Sequence, residues 1–197
     1  APYAQGSGHA FPVSIETTPR IASQEPEKPA VLSRGGVQRV SMGVQSFNAA
    51  TLALVNRRRQ IEQTEQAMAN LRAASFARLN LDIIFGLPGQ SLSDWLADLE
   101  RIIALTPDSV TTYDCLYRGK GRALTKIAPT TPTPAQYGAM YDAGYERLTQ
   151  AGWHASYGSV NFSRRRDETG TSACFEGRLL DGLPYLGLGN YASSLRG

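Results

Sequence analysis

Cysteine is scarce in this sequence, which has 197 residues and only two cysteines, Cys115 and Cys174. Two cysteines far apart give no disulfide framework, so a reducing cytoplasm is the expected location. They also cannot supply three thiolates for an iron–sulfur cluster. The two histidines, His9 and His154, are too isolated to predict a metal pair or a general base. We therefore predict no metal ligand in this chain and assign no catalytic residue from these side chains.

Long apolar runs are absent as well. No stretch approaches the ~20 apolar residues that a membrane span needs, and the opening APYAQGSGHA lacks the basic start and apolar run of a signal peptide. The net charge is +3, with arginines clustered at 57–59 and 164–166. Neither cluster has the interleaved aromatics of a nucleic-acid surface. We expect no membrane span and no nucleic-acid partner. Most of these arginines should be solvated, with one or two able to meet the carboxylate of a small anion.

Three strand-like runs give the most information, at 13–17, 39–48 and 79–90. With the strand period of two, one face of each is polar. This polar face contains Ser14, Glu16, Ser41, Gly43, Gln45, Asn80, Asp82 and Gly86. The opposite face contains Val13, Ile15, Val40, Met42, Val44, Leu81, Ile83 and Phe85. Strands separated by helices form parallel sheets covered on both faces, so the polar face must form a side-chain network or line a cavity for a polar ligand.

The order of elements predicts an α/β barrel of parallel strands. Four strands are expected near 12–17, 38–46, 79–85 and 109–116. The predicted helices are 48–55 capped by Asn48, 61–74, 94–105 capped by Ser93, and 134–151 capped near Thr133. Residues 21–36 contain two prolines and a Gly-Gly pair, so we expect irregular structure with at most one short helix.

The part after residue 117 has a different character. We expect 1–10 to be a disordered lead or a truncated element, 11–117 a partial barrel, and 118–197 a small α+β extension that covers the barrel mouth. In the extension, 154–162 and 183–188 look extended. The tyrosines of the 134–151 helix recur at helical spacing, which is typical of core packing rather than of a ligand site.

Four motifs, in order, give the chain a family resemblance: SIETTP, RVSMGVQSFN, VNR and LDIIFGLPGQS, with a weaker echo in YLGLGNYASS. Together they resemble the oxygen-independent coproporphyrinogen III oxidase family of radical S-adenosylmethionine proteins. The resemblance implies the second half of a partial (β/α)6 TIM-like radical SAM barrel, the extension being the start of the family's C-terminal domain.

The resemblance also implies a [4Fe-4S] cluster, which the family holds with a C-x-x-x-C-x-x-C run. That run is missing here, so the cluster ligands are not in this chain. We expect a fragment from the middle and later part of a longer protein, inactive by itself. The alternative is a relative that has lost its cluster.

The same resemblance assigns S-adenosyl-L-methionine contacts to Glu16, Gln45, Arg57 and Asp82, and places Tyr113 and Leu116 around the adenine. Three of these six residues, Glu16, Gln45 and Asp82, also lie on the polar face that the strand period of two predicts. The alternative for the two carboxylates is a structural salt bridge with Arg39 or Arg57.

The implied function is a radical S-adenosylmethionine oxidoreductase. It would generate a 5′-deoxyadenosyl radical to act on a tetrapyrrole or related anionic substrate, with an electron donor such as flavodoxin or ferredoxin. One alternative is a haem-binding or haem-delivery protein, which leaves haem open as a ligand. Another is a radical SAM methyltransferase or haem-degrading enzyme. Where many relatives have S-N-F-A and then H-N, this chain has VNFS at 160–163 and TSAC at 171–174, which puts porphyrinogen decarboxylation in doubt.

Overall fold

The computed structural model describes residues 13–54, 57, 60–115, 130–157 and 160–184. Its strands are β1 Val13–Thr17, β2 Val37–Gln45, β3 Arg78–Phe85, β4 Ser109–Asp114, β5 His154–Tyr157 and β6 Asn161–Ser163. Its helices are α1 Pro19–Gln24, α2 Glu27–Arg34, α3 Ala49–Leu54, α4 Gln60–Ala73, α5 Leu92–Leu105, α6 Pro134–Gln150 and α7 Ala173–Leu179. None of the described helices is long and apolar enough to cross a bilayer.

The strands form one six-stranded sheet in the order β1-β2-β3-β4-β6-β5. Neighbours among β1 to β4 are parallel, as the alternation of strands and helices predicts. The α/β class and the four side-by-side strands are therefore confirmed. The next two strands differ from expectation, because β6 pairs antiparallel with β4 and extends the sheet itself. The ends of the chain at 1–12 and 185–197 lie outside the described residues.

The apolar face of the sheet forms the core with the surrounding helices. Met42 pairs in register with Leu81, and both are fully buried. From α5, Trp95 is buried against this layer, and its indole N–H donates to the Met140 carbonyl of α6 at 2.8 Å. The predicted apolar stripes of α5 and α6 thus pack on one side of the sheet. The edge residue Val13 is the exception, because it is exposed.

Residues 21–36 are more regular than predicted. Thr18 accepts from the Ile21 N–H and caps α1, whose first residue is Pro19. Pro29 occupies the first turn of α2, where its missing N–H has no partner in the helix to lose. The prolines therefore start helices here instead of preventing them, and the expectation of at most one short helix is wrong.

The start of α5 also differs from the prediction. Ser91, not Ser93, is the N-cap, and it forms a capping box with Asp94. The predicted Thr133 cap of α6 is confirmed, with Gln136 as its capping-box partner. Asn48 accepts from the Thr51 N–H at 3.0 Å, as its predicted role at the start of α3 requires.

Candidate functional site

The polar face of the sheet is organised around Asn80, whose exposed fraction is 1%. Its amide nitrogen donates to Asp82 Oδ1 at 2.7 Å and to Ser41 Oγ at 2.9 Å. Its amide oxygen accepts from the Ser109 hydroxyl at 2.7 Å, and Thr111 lies within hydrogen-bond distance as well. The network joins β2, β3 and β4, and it satisfies the buried polar groups that the period-two pattern placed on this face.

Asp82 is the acceptor at the end of this network. Ser41 Oγ donates to its Oδ2 at 2.9 Å, while Asn80 donates to its Oδ1. Burial raises the pKa of Asp82 above its ordinary value, the hydrogen bond from Ser41 and the charge of Arg39 lower it, and the charge of Glu16 raises it. A carboxylate has about four lone-pair sites, so both oxygens retain capacity for a ligand.

A cavity of about 320 Å³ lies over this carboxylate. Glu16, Asp82 and Tyr113 line it from the carboxyl-terminal halves of β1, β3 and β4, and Arg39, Ser41 and Thr111 line it from positions earlier in β2 and β4. Ligand sites of barrel proteins occupy this end of the strands. The cavity is at the small end of the range for small-molecule sites, roughly 300 to 1,000 Å³.

The opposite wall comes from the C-terminal part of the chain, and is lined by Val160, Asn161, Thr171, Ser172 and Phe175. These residues include Val160, Thr171 and Ser172, which belong to the two stretches where the sequence differs from the pattern that the family resemblance implies. Local sequence gave no signal for this wall, because only the tertiary fold brings α7 against β1 and over the polar face.

Ion pairs and glycine geometry hold that wall in place. Glu168 pairs with Arg78 at the start of β3, with Arg78 Nε donating to Glu168 Oε2 at 3.1 Å. Gly170 has a φ of +79°, and a Cβ there would lie 3.0 Å from the backbone of Phe162. The turn before α7 therefore requires a glycine.

Among the described residues that line the cavity, Arg39 provides the guanidinium group; the sequence predicts it only as an alternative salt-bridge partner of Glu16 or Asp82. Burial lowers its pKa, and the charges of Asp82 and Glu16 oppose that change. Its hydrogen bond among the described residues is a long one, from Nη2 to the Gly170 carbonyl at 3.5 Å. No ion pair within 4.0 Å joins it to Asp82 or Glu16 in the described structure. The expected salt-bridge alternative is therefore not formed by Arg39.

Gln45 reaches the polar face through a β-bulge. The register with β3 shifts between Gly43 and Gln45, and Gln45 has a φ of +69°. A Cβ built on Gly43 would lie 2.6 Å from the Gln45 amide nitrogen, so this amide lies over Gly43. Because Gly43 pairs in register with Asp82, the Gln45 amide lies at the level of Asp82, although Gln45 is not among the residues that line the cavity.

The three remaining predicted contacts are Tyr113, Arg57 and Leu116. Tyr113 lines the cavity with 51% of its surface exposed, and burial, with the charge of Asp82, raises its pKa. Arg57 is exposed and is not among the residues that line the cavity; its backbone N–H donates to the Leu52 carbonyl at 2.8 Å. Leu116 lies outside the described residues.

The residues present fit S-adenosylmethionine, but they do not fit the [4Fe-4S] cluster that the family resemblance implies. Glu16 and Asp82 provide acceptors for cationic and hydroxyl groups, and Arg39 provides donors, in one cavity. Within the described residues no group of three or more His, Cys, Asp or Glu side chains is placed to hold a metal ion. With two cysteines in the sequence, the three-thiolate ligand set cannot come from this chain.

Comparison with known proteins identifies the superfamily to which the chain belongs. Residues 5–102 match the family model of the Radical SAM superfamily. The coproporphyrinogen III oxidase HemN from Escherichia coli, described as a radical SAM enzyme, superposes with a TM-score of 0.74 at 27% identity, over 93% of this chain and 44% of that one. The chain belongs to the radical SAM superfamily.

Two curated relatives are similar to this chain over most of its length. The heme chaperone HemW of Synechocystis sp. is 32% identical over 81% of this chain and 38% of its own length. The oxygen-independent coproporphyrinogen III oxidase of Thermostichus vulcanus is 32% identical over 79% of this chain and 48% of its own length. The predicted family and its partial barrel are confirmed, and the chain spans less than half the length of these relatives.

Proposed function

We propose that this chain holds S-adenosylmethionine in the polar-face cavity, and that its protein uses this cofactor on a tetrapyrrole or another anionic small molecule. The observation that supports the proposal most directly is Asp82, whose carboxylate is fixed by Ser41 and Asn80 on the wall of the cavity. A carboxylate with both oxygens oriented by neighbours is suited to accept hydrogen bonds from ribose hydroxyls.

The charge of the cavity supports a cationic ligand. Two carboxylates, Glu16 and Asp82, line it together with one guanidinium, that of Arg39. S-adenosylmethionine has a sulfonium and an α-ammonium group, both positive, beside one carboxylate. In a partly buried site, such opposite charges interact more strongly than in water.

Each predicted contact has a defined role in this proposal. Glu16 accepts from the α-ammonium group and the Gln45 amide lies beside the bound cofactor. Arg57, which lies outside the lining of the cavity, pairs with a methionyl carboxylate that extends beyond it. Tyr113 and Leu116 border the adenine. When bound, the cofactor supplies the radical chemistry, and the residues of this chain bind it, orient it and exclude water.

A haem-binding protein is the second candidate. Supporting it is the identity of 32% to a heme chaperone, equal to that with an oxidase. The cavity wall also supports it, since Ser172, in the 171–174 stretch that stands where the resemblance implies an H-N pair, lies on the side of the cavity opposite Asp82. A changed wall there alters what can lie next to the cofactor.

Two assays on one preparation separate the candidates. The complete protein, reconstituted with iron and sulfide, is supplied with S-adenosylmethionine, coproporphyrinogen III and a one-electron donor such as flavodoxin or ferredoxin. An oxidase forms 5′-deoxyadenosine and decarboxylates the porphyrinogen. A haem carrier retains haem through gel filtration and leaves the porphyrinogen unchanged. A protein that neither cleaves the cofactor nor retains haem would contradict both candidates.

A further inference from the structure

Asp98 is a buried carboxylate that lies outside the cavity. It belongs to α5, has an exposed fraction of 2%, and stands on the helix face that also buries Trp95, Leu99 and Ile102. Aspartate is rarely buried to this extent unless specific partners hold it. An apolar residue would satisfy the packing of this face, so the carboxylate needs another explanation.

The partners of Asp98 come from the two loops that leave the carboxyl ends of β2 and β3. From the first loop, Ser46 Oγ donates to it at 2.6 Å and the Phe47 N–H at 2.7 Å. From the second loop, the Gln90 side-chain amide donates at 3.3 Å. One carboxylate thus joins the ends of two neighbouring strands.

The first loop begins with Gln45, the predicted cofactor contact. Its φ of +69° is in the left-handed region, which is unfavourable for a residue with a side chain. The next N–H, that of Ser46, donates back to the Val44 carbonyl at 2.9 Å, so the chain turns tightly at Gln45. Such a conformation persists where the surroundings fix it. Here the two residues that follow Gln45 are the ones bound by Asp98.

The second loop is tied to Asp98 through Gln90. The Gln90 side-chain oxygen accepts from the Leu87 N–H at 3.1 Å, inside the Gly86–Gln90 turn. Its amide nitrogen also lies 3.4 Å from the Ile84 carbonyl. Gln90 therefore connects Asp98 to Ile84, which lies near the end of β3 and two residues beyond Asp82.

We propose that Asp98 is a positioning residue of the cofactor site. Asp98 holds Gln45 in its left-handed turn and connects that turn to the Gly86–Gln90 turn. This inference rests on the proposed function, because Gln45 is taken as a cofactor contact. Asp98 touches no ligand and acts through the two loops.

A double-mutant cycle tests whether Asp98 acts through Gln45. In the complete protein, titrated with S-adenosylmethionine without reductant, Asp98→Asn should weaken binding by about 5- to 10-fold, the scale of one hydrogen bond. In a Gln45→Ala background the same change should alter affinity less than about twofold, since coupled residues are not additive. In a Glu16→Ala background the full effect should remain.

Asp108→Asn is a control for a carboxylate that binds the backbone elsewhere, at an exposed position. Asp108 accepts the Leu79 N–H at 2.8 Å, but at the amino-terminal end of β3, away from the cavity. It should leave affinity unchanged. Equal losses for Asp98→Asn in the wild-type and Gln45→Ala backgrounds would overturn the inference. If Asp98→Asn does not fold, Ser46→Ala removes one donor and replaces it in the cycle.

A readout without cofactor separates this inference from the proposed function. Hydrogen exchange of the amides in 46–48 and 86–90 should accelerate in Asp98→Asn, with the amides of β1 unchanged. If wild-type protein binds no S-adenosylmethionine, the proposed function fails, while the exchange result still tests whether Asp98 holds the two loops together. Unchanged exchange in both loops would overturn the inference about Asp98.

Discussion

The Tyr137 hydroxyl donates to the Gly86 carbonyl at 3.0 Å and also contacts the Cys115 carbonyl. Tyr137 belongs to α6, whereas the two carbonyls follow β3 and β4. One side chain from the C-terminal part of the chain therefore fixes the ends of two strands that border the cavity. Its ring also packs edge-on against Phe85, with the ring centroids 6.3 Å apart.

Removing this hydroxyl should destabilise the strand ends. We expect Tyr137→Phe to lower the free energy of unfolding by about 1 to 2 kcal/mol, since the one O–H that lies between the two carbonyls is lost. Urea denaturation measures this. Tyr141→Phe is the matched control, because Tyr141 packs against the same Phe85 ring and the described structure gives its hydroxyl no hydrogen bond. Equal losses in the two variants would contradict the role of the hydroxyl.

Gly86 should tolerate no side chain. Its φ is +75°, and a Cβ there would collide with the Tyr137 ring. We expect Gly86→Ala to cost about 3 kcal/mol or more, combining backbone strain with overpacking. Gly89→Ala isolates the strain: its φ is +73°, but its nearest neighbour would be Leu54 Cδ1 at 3.5 Å, so about 1 kcal/mol is expected. Thermal or urea unfolding that ranks the two variants equally would show that the Tyr137 contact is unimportant.

Cofactor affinity should fall in acid because of Asp82. Burial raises the pKa of Asp82 above its ordinary value of 3.8, so its charge is lost earlier, as pH falls, than that of a free aspartate. Affinity for the sulfonium should be constant at pH values well above the raised pKa and should decrease as pH drops through it. The same shift has the opposite sign for folding, since ionising Asp82 costs stability as pH rises through that pKa.

Calorimetric titration over a pH series checks this dependence. Asp82→Asn should bind more weakly and show a flatter profile. An unchanged slope in Asp82→Asn would assign the dependence to another group.

The sequence predicted the sheet well because its signals are local. Alternation in 79–85 placed Leu81 and Ile83 in the core and Asp82 on the polar face, and the structure agrees. The bulge at Gln45 has no such signal, since its left-handed turn depends on Asp98, which is distant in sequence. The cavity wall at Thr171 and Phe175 was missed for the same reason, because it is formed by tertiary contacts.

Binding of S-adenosylmethionine to wild-type and Asp82→Ala forms of the complete protein is the most direct test of the central claim. If Asp82 makes a charge-assisted hydrogen bond to the ribose, its loss should weaken binding by roughly 1.5 to 3 kcal/mol. Cluster assembly, followed by its absorption spectrum, should be unaffected, since the cluster ligands are not in this chain. Wild-type protein that binds the cofactor no better than Asp82→Ala would contradict the assignment of the cavity.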